Sequence, residues 1–316
     1  MSDQMNGLSS RKNNQSLSKR IRIGTRGSKL ALWQANFVRS QLEKKGLEVS
    51  LEIIKTQGDI VQNLSLDKLE GKGFFTTELE DALTGGRIDL AVHSMKDLPT
   101  ESTEALMIGG VSRREDPADW LIINRDAVNK GERLSLKQGA MVGTSSNRRK
   151  AQIKYLRPDV NLKDIRGNVP TRLRKVESGE VDAAILAAAG LIRIEADLDP
   201  FLVIKLHPRE FVPAPAQGVL AYQIRRTDKD MLEIVRENLH HPATSSITNI
   251  ERKILKLLQG GCHLPLGAYC EVDNMGYYHV YSAYAENLDK PLQHYNLSYS
   301  TTEGLAEAIV EHYTNR

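Results

Sequence analysis

The chain has 316 residues, of which 40% are hydrophobic and 26% are charged, enough for about two or three domains with their own cores. No stretch approaches the roughly 18 consecutive apolar residues that span a membrane, and a formal net charge of +3 is too small to indicate a nucleic-acid partner. Cys262 and Cys270 form neither a disulfide framework nor a plausible metal site, so we expect a cytoplasmic protein without a metal. Residues 1–19 are polar and have no apolar core, so we expect them to form a disordered extension rather than a secretory signal.

Residues 20–55 carry the pattern of a β-α-β unit. RIRIG predicts a short strand, Ser28 is suited to cap the following helix, and apolar residues then recur at helical spacing until a glycine ends the helix. The next strand is VSLEIIKT. A polar, glycine-marked stretch at 58–73 precedes a predicted helix at about 76–84 and a buried strand of the parallel-sheet type at 88–94.

The same pattern returns at residue 140. AMVGTSSNRRK resembles IRIGTRGSK, and GEVDAAILA at 179–187 resembles GRIDLAVHS at 86–94. This weak internal repeat predicts two α/β domains of one design, each presenting strand ends and helix N-termini to a shared cleft. Candidate hinges between them lie near 110–118 and at 211–218, where the chain is rich in proline.

The last part of the chain, from residue 240, follows a different pattern. Apolar residues between Ile247 and Leu258 predict a helix that ends at Gly260-Gly261. Three strands and a final helix follow, near 266–272, 277–284, 292–299 and 302–313. We expect a small α+β domain with an antiparallel sheet and with Cys262 on the loop after its first helix.

Lys96 and Asp97 directly follow the buried strand at 88–94, at the edge where open α/β sheets place their ligands. Asp97 could simply cap a turn before Leu98-Pro99. Alternatively, its carboxylate faces the cleft beside Lys96 and stabilises a cation formed in a reaction, or moves a proton. These residues alone leave both interpretations open.

Six arginines fall where the pattern predicts strand ends or helix starts, at which backbone N–H groups favour anions. They are Arg26, Arg148, Arg149, Arg166, Arg172 and Arg193. The segment from Arg148 to Lys175 contains ten Lys or Arg residues against two acids. Arginine rather than lysine indicates planar anions held by two hydrogen bonds, so we predict a ligand with several carboxylates or phosphates.

Cys262 lies on a loop after Gly260-Gly261, which permits the close approach of a ligand. Its position leaves three roles open: nucleophile, covalent attachment point and bystander. Cys270, with apolar neighbours on the following strand, is predicted to be structural. His93 and His263 have no identifiable partner and are also interpreted as structural.

Several segments resemble, in the same order, the signature segments of the hydroxymethylbilane synthase (porphobilinogen deaminase) family. They are VHSMKDLP, SRREDP, VGTSSNRRKAQ, DIRGNVPTRLRK, PAPAQG and GGCHLPLGA. The likeness runs from about residue 21 to at least residue 270. The family joins four porphobilinogen molecules into a linear tetrapyrrole and releases ammonia at each condensation.

The resemblance implies a transferase with a dipyrromethane cofactor bound to Cys262 through a thioether. It makes Asp97 the central catalytic carboxylate, which stabilises the cation left by ammonia loss, with Lys96 beside it. The implied cofactor contacts are Ser28, Lys96, Asp97, Ser145, Arg148, Arg149, Arg166 and Gly167. The implied contacts of the substrate's acetate and propionate groups and ring are Arg26, Ser28, Phe75, Arg149, Arg166, Arg172 and Arg193.

The resemblance also implies a fold and a domain division. It predicts a monomer with two similar periplasmic-binding-protein-like α/β domains around a cleft, a small α+β third domain, and a mobile lid at 58–73. Domain 1 is predicted at 20–112 and 216–238, domain 2 at 113–215 and domain 3 at 239–316. The sequence departs from the family pattern at a few positions, among them Ala216, where glycine is common, and Gln223, where glutamate is frequent.

Two other functions would account for parts of the sequence. A non-catalytic binding protein for small polycarboxylates would suit two similar domains with a hinge, but it leaves Lys96-Asp97 and the glycine-flanked cysteine unexplained. A nucleic-acid binder would use the basic stretch at 148–175, yet Tyr155 is the only aromatic residue there for stacking on bases. We therefore expect neither nucleic acid nor membrane as a partner.

Overall fold

A computed structural model describes residues 20–55, 76–101, 103–261 and 263–315. The predicted extension at 1–19, the predicted lid at 58–73, Phe75 and Cys262 lie outside these ranges. In chain order the strands are β1 (Ile21–Thr25), β2 (Val49–Ile53), β3 (Leu90–Ser94), β4 (Leu106–Val111), β5 (Asp119–Asn124), β6 (Met141–Gly143), β7 (Asn161–Lys163), β8 (Ala183–Ala187), β9 (Phe201–Lys205), β10 (Leu220–Arg225), β11 (Leu266–Val272), β12 (Tyr278–Tyr284) and β13 (Gln293–Tyr299). The α-helices are α1 (Lys29–Glu43), α2 (Thr77–Thr84), α3 (Asn147–Leu156), α4 (Val169–Glu177), α5 (Ala188–Arg193), α6 (Lys229–Asn238), α7 (Pro242–Leu257) and α8 (Leu305–Thr314).

Two five-stranded sheets share one design. The first has the order β2-β1-β3-β10-β4, and the second has the order β7-β6-β8-β5-β9. In each sheet the second strand pairs in parallel with both neighbours, and the fourth strand is antiparallel to both of its own. The strand predicted at 88–94 is buried as expected, but it has a parallel neighbour on one side only, because β10 enters beside β3 from far along the chain.

Two aspartates make equivalent hydrogen bonds in the two sheets, as the internal repeat leads one to expect. Asp89 precedes β3, and its Oδ2 accepts a hydrogen bond from the backbone N–H of Arg22 at 3.1 Å. Asp182 precedes β8, and its Oδ2 accepts from the backbone N–H of Met141 at 2.8 Å. Each aspartate thus ties the start of the third strand of its sheet to the start of the second, so the weak sequence repeat corresponds to a structural one.

The chain passes between the two sheets twice, and the two passages run side by side. It leaves the first sheet after β4 and returns before β10. The backbone N–H of Ser112 donates to the Leu220 carbonyl at 3.0 Å, and that of Glu115 donates to the Gly218 carbonyl at 3.0 Å. Both candidate hinges lie at these crossings, while the domain boundaries themselves stay predictions.

The C-terminal part forms a separate layer. Strands β11, β12 and β13 make an antiparallel sheet, and α7 and α8 pack on it around a core that includes Ile250, Ile254 and Ile309. The predicted class, two similar α/β domains plus a small α+β domain, is confirmed. The backbone N–H of Ala268 donates to the Pro213 carbonyl at 3.0 Å, which attaches this sheet to the second passage between the larger domains.

Gly218 allows the two passages to lie close together, and we expect its replacement to be costly. Its φ is +90°, and a Cβ at this position would lie 2.5 Å from the Glu115 carbonyl oxygen. We expect Gly218→Ala to lower the free energy of unfolding by about 1–3 kcal/mol, measured by urea denaturation. Gly276→Ala is the matched control, since Gly276 has a φ of +87° and nothing within 4 Å of its Cβ position. Equal losses in the two variants would show that the close approach contributes nothing.

Candidate active site

The loop that carries Asp97 has a fixed backbone and an exposed carboxylate. β3 ends at Ser94, and Met95–Asp97 form one turn of 3-10 helix. The backbone N–H of Met95 donates to the Val219 carbonyl at 2.9 Å, the Met95 side chain is buried, and Ser94 Oγ accepts from Gln34 Nε2 at 2.9 Å. Asp97 is exposed at the end of this turn, beyond the carboxyl end of β3, as open α/β sheets favour for ligand contacts.

Lys96 points towards the second passage between the domains rather than into solvent. Its Nζ donates to Gln217 Oε1 at 3.1 Å. Burial lowers the pKa of Lys96 to about 8; the charge of Asp97 opposes this shift, and the charges of Arg149 and Arg148 add to it. Lys96 therefore lies within electrostatic reach of cations that come from the other side of the cleft.

Arg148 and Arg149 share one buried carboxylate, that of Asp119. Arg148 Nη1 donates to Asp119 Oδ2 at 2.7 Å, and Arg149 Nη2 donates to Asp119 Oδ1 at 2.7 Å. The side chain of Asp119 is fully buried, and those of both arginines are more than nine-tenths buried. Burial alone would raise the pKa of Asp119. The charges of Arg148 and Arg149 outweigh this effect and hold the pKa of Asp119 well below its usual range.

Gln217 connects this buried cluster to Lys96. Its Nε2 donates to Asp119 Oδ1 at 3.0 Å and to the Pro117 carbonyl at 2.8 Å, while its Oε1 accepts from Lys96. The hydrogen bonds therefore run from Lys96 in the first domain, through the second passage between the domains, to the arginine pair in the second. These hydrogen bonds fix the positions of Arg148 and Arg149, two predicted cofactor contacts, relative to the loop that carries Asp97.

Arg166 and Arg172 lie beside a glycine turn of the second domain. Gly167 has a φ of +105°, and its carbonyl accepts a hydrogen bond from Arg172 Nε at 2.8 Å. Burial lowers the pKa of Arg172 to about 10; the charge of Arg149 adds to this shift, and the charge of Asp97 opposes it. Arg172 thus reaches across the cleft electrostatically to Asp97. Arg166 is half-buried, and Ser145 Oγ donates to the Ile165 carbonyl at 2.8 Å.

Arg26 and Ser28 stand where the sequence pattern predicted them. Arg26 follows β1 and is half-buried; burial lowers the pKa of the nearby His93, and the charge of Arg26 adds to this shift. Ser28 caps α1, and its Oγ accepts from the backbone N–H of Ala31 at 3.3 Å. In the equivalent turn of the second domain, Ser146 occupies the cap position without a side-chain cap hydrogen bond.

The prediction that all six arginines stand at strand ends or helix starts was wrong for Arg193. This residue is the last of α5, because AAGLIR forms a short helix directly after β8. Its side chain is buried, Nη2 donates to the Gly218 carbonyl at 2.6 Å, and the guanidinium lies over Trp33 with 5.7 Å to the ring centroid. In the described structure Arg193 therefore links α1 of the first domain to the second passage between the domains.

The two histidines of the motifs have different surroundings. His93 is buried and Nε2 donates to Gln223 Oε1 at 2.9 Å; burial lowers the pKa of His93 to about 4, so the ring is neutral near pH 7. The side chain of His263 is exposed, but its carbonyl accepts a hydrogen bond from Asn147 Nδ2 at 2.9 Å. That bond brings the residue after Cys262 to the start of α3, directly before Arg148.

Sequence reasoning missed Asp119 and Gln217 as parts of the site. Both stand in or next to segments that carried the family resemblance, Asp119 just after SRREDP and Gln217 within PAPAQG. Asp119 could have been identified because it directly precedes the apolar run WLII. A carboxylate at the start of a buried strand needs a buried partner to stabilise its charge.

Residues 21–233 match the family described as "Porphobilinogen deaminase, dipyromethane cofactor binding domain". The chain belongs to the porphobilinogen deaminase family. A "Porphobilinogen deaminase" from Chloroherpeton thalassium is 41% identical over 275 residues, which cover 86% of this chain and 85% of that one. One from Clostridioides difficile is 44% identical over 254 residues, covering 80% and 82%, and one from Alkaliphilus metalliredigens is 45% identical over 253 residues, covering 79% and 77%.

Family membership confirms three predictions: the enzyme class is a transferase, the reaction is that of hydroxymethylbilane synthase, and the cofactor is dipyrromethane. The alternative of a non-catalytic binding protein is not favoured. A periplasmic substrate-binding protein from Coxiella burnetii superposes with a TM-score of 0.44 at 14% identity over 72% of this chain and 94% of that one, which is too distant to bear on function. No helix within the described ranges has the length and apolar character required to cross a membrane.

Proposed function

We propose that this protein condenses four porphobilinogen molecules, one at a time, onto a dipyrromethane that it holds covalently on Cys262, and then releases hydroxymethylbilane by hydrolysis. The observation that supports the assignment of the site is the surroundings of Asp97. One exposed carboxylate at the carboxyl end of β3 stands within the electrostatic reach of Lys96 from its own domain and of Arg172 from the other.

The side chains around this carboxylate fit a dipyrromethane. Each ring of the group carries two carboxylates, and the described cleft supplies guanidinium and ammonium groups from both domains around Asp97. The residues proposed to hold it are Ser28, Lys96, Asp97, Ser145, Arg148, Arg149, Arg166 and Gly167, with Cys262 as the attachment point. When bound, the group supplies the pyrrole carbon to which the first substrate is joined.

The roles proposed for the chain's own residues follow from charge. Asp97 accepts hydrogen bonds from pyrrole N–H groups and stabilises positive charge that develops on the substrate when ammonia leaves. The positive charge of Lys96 attracts carboxylates of the bound group to the region beside Asp97. Arg172 is able to grip the planar carboxylates of the substrate because its guanidinium presents paired donors. We assign the same role to Arg26, Arg149, Arg166 and Arg193, and we propose that Ser28 adds a hydroxyl donor. Phe75 is proposed to contact a pyrrole ring rather than a carboxylate.

Covalent attachment has a physical advantage for a product that grows by repeated addition. Each further ring adds two carboxylates, so a free intermediate would be a soluble polyanion able to leave the cleft. Tethering it at Cys262 makes every addition effectively intramolecular. We further propose that the protein acts as a monomer in the cytoplasm, where a reducing environment keeps a thiol such as that of Cys270 free.

The intact mass of the purified protein under denaturing conditions tests this function. We expect an excess of two linked pyrrole rings on the wild type, formed on incubation with porphobilinogen if the protein is isolated without it. The excess should be absent from Cys262→Ser and present on Cys270→Ala, because Cys270 is buried on β11 in the core of the C-terminal layer. An unmodified wild type after incubation would refute the attachment at Cys262 and reopen the binding-protein alternative.

A further inference from the structure

The loop that carries Asp97 is held by a residue of the C-terminal domain. Arg252 lies on α7, and its guanidinium donates three hydrogen bonds to backbone carbonyls of this loop. Nη1 donates to the Met95 and Leu98 carbonyls, each at 3.1 Å, and Nη2 donates to the Pro99 carbonyl at 2.5 Å. These carbonyls bracket Asp97 on both sides.

The loop has few hydrogen bonds of its own to resist rearrangement. Its 3-10 turn is closed by the backbone N–H of Leu98 donating to the Met95 carbonyl at 3.2 Å, and Pro99 has no N–H to donate. Three charge-assisted hydrogen bonds from one rigid guanidinium are strong by comparison. Besides the bond from the Met95 N–H to the Val219 carbonyl, the described contacts that hold the Met95–Pro99 backbone therefore include a side chain about 150 residues away.

The residue before Arg252 anchors the same helix to the passages between the domains. Glu251 is fully buried and accepts hydrogen bonds from Arg114 Nη1 at 2.6 Å, from the backbone N–H of Ala216 at 2.7 Å and from that of Cys270 at 2.7 Å. Helix α7 ends at Leu257, five residues before Cys262. Helix α7 thus contacts the loop that carries Asp97 and both passages between the domains, and in the sequence it leads to Cys262.

We infer that Arg252 is a positioning residue for the condensation: it holds the Met95–Pro99 backbone so that the Asp97 carboxylate faces the reacting groups, and it does not touch substrate. This inference rests on the proposed function. Because Arg252 acts through the loop, its loss should lower turnover while the arginines of the cleft continue to bind porphobilinogen.

Three variants test the inference: Arg252→Met, Arg252→Lys and the control Lys253→Met. Lys253 is the next residue of α7, is exposed and pairs with Glu307 of α8, so the control removes one positive charge from the same helix without contacting the loop. Each protein is examined at a temperature where it is folded, and turnover is expressed per molecule that carries the dipyrromethane by mass.

We expect kcat of Arg252→Met to fall about 10- to 100-fold with KM changed less than about threefold, since small misplacement of a catalytic group has effects of this size. Arg252→Lys should recover part of the loss, and Lys253→Met should match the wild type. Amide hydrogen exchange across residues 94–99 should be faster in Arg252→Met than in Lys253→Met. An inactive wild type would contradict the proposed function, whereas an active wild type with Arg252→Met equal to Lys253→Met in turnover and exchange would overturn the inference alone.

Discussion

Replacement of Asp97 by alanine should leave a folded protein in which tetrapyrrole formation is almost abolished. The carboxylate is exposed and ends a turn whose backbone is fixed by other groups, so its removal should change the free energy of unfolding by less than about 0.5 kcal/mol. The reaction loses the charge that stabilises the cation after ammonia leaves. A group of this kind contributes about 10²- to 10⁴-fold, and we expect kcat to fall within that range.

The measurement is the initial rate of tetrapyrrole formation, with the unfolding midpoint in urea and the intact mass recorded for the same samples. Glu101→Gln provides the control, because Glu101 is an exposed acid four residues further on that pairs with Lys256 at 3.7 Å. It should behave as the wild type. Near-normal turnover by Asp97→Ala would remove Asp97 from the catalytic role, and an equal loss in Glu101→Gln would attribute the effect to net charge instead.

Local patterns predicted most elements of the fold, including the strand end at which the candidate site lies. The cap at Ser28, the strand before Lys96-Asp97 and the three strands and two helices after residue 240 follow from hydrophobic spacing and from glycine positions, which depend on neighbours in sequence. The internal repeat is detectable in the sequence because Asp89 and Asp182 accept equivalent backbone hydrogen bonds directly before equivalent strands.

Long-range partners could not be predicted in the same way. β10 pairs with β3 in the first sheet, although all five strands of the second sheet lie between them in the sequence. The residues around 88–94 therefore give no indication of this antiparallel neighbour. Arg193 ends a helix because AAGLIR turns back after β8, although its apolar residues continue the strand pattern. The pairing of Asp119 with Arg148 and Arg149, and the reach of Arg252 to the Asp97 loop, depend on the packed arrangement of three domains.

Replacement of Asp119 by alanine should have the largest effect on stability. It leaves the guanidinium groups of Arg148 and Arg149 buried without their counter-charge, and breaking a buried ion pair in this way costs about 3–5 kcal/mol. It also removes the acceptor that Gln217 uses to connect the arginine pair to Lys96. We therefore expect a much lower urea midpoint, together with little or no dipyrromethane in the intact mass of the protein that remains folded.

The pH dependence of stability separates a lost charge from a lost side chain. Because Arg148 and Arg149 depress the pKa of Asp119 in the folded state, the stability it contributes is complete above the unfolded pKa of about 4 and is lost as pH falls below it. The difference in unfolding free energy between the wild type and Asp119→Ala should therefore narrow below about pH 4. A difference that stays constant there would mean that cavity formation, not charge, sets the cost.

Asp89→Ala is the matched control for the site. Asp89 is also buried and binds two arginines, Arg22 and Arg225, but these are more exposed than Arg148 and Arg149 and lie away from the cleft. Water can solvate them when the carboxylate is removed, so the loss of stability should be smaller, and the dipyrromethane should remain. Equal loss of the dipyrromethane from both variants would mean that general destabilisation, rather than the placement of Arg148 and Arg149 by Asp119, explains the effect.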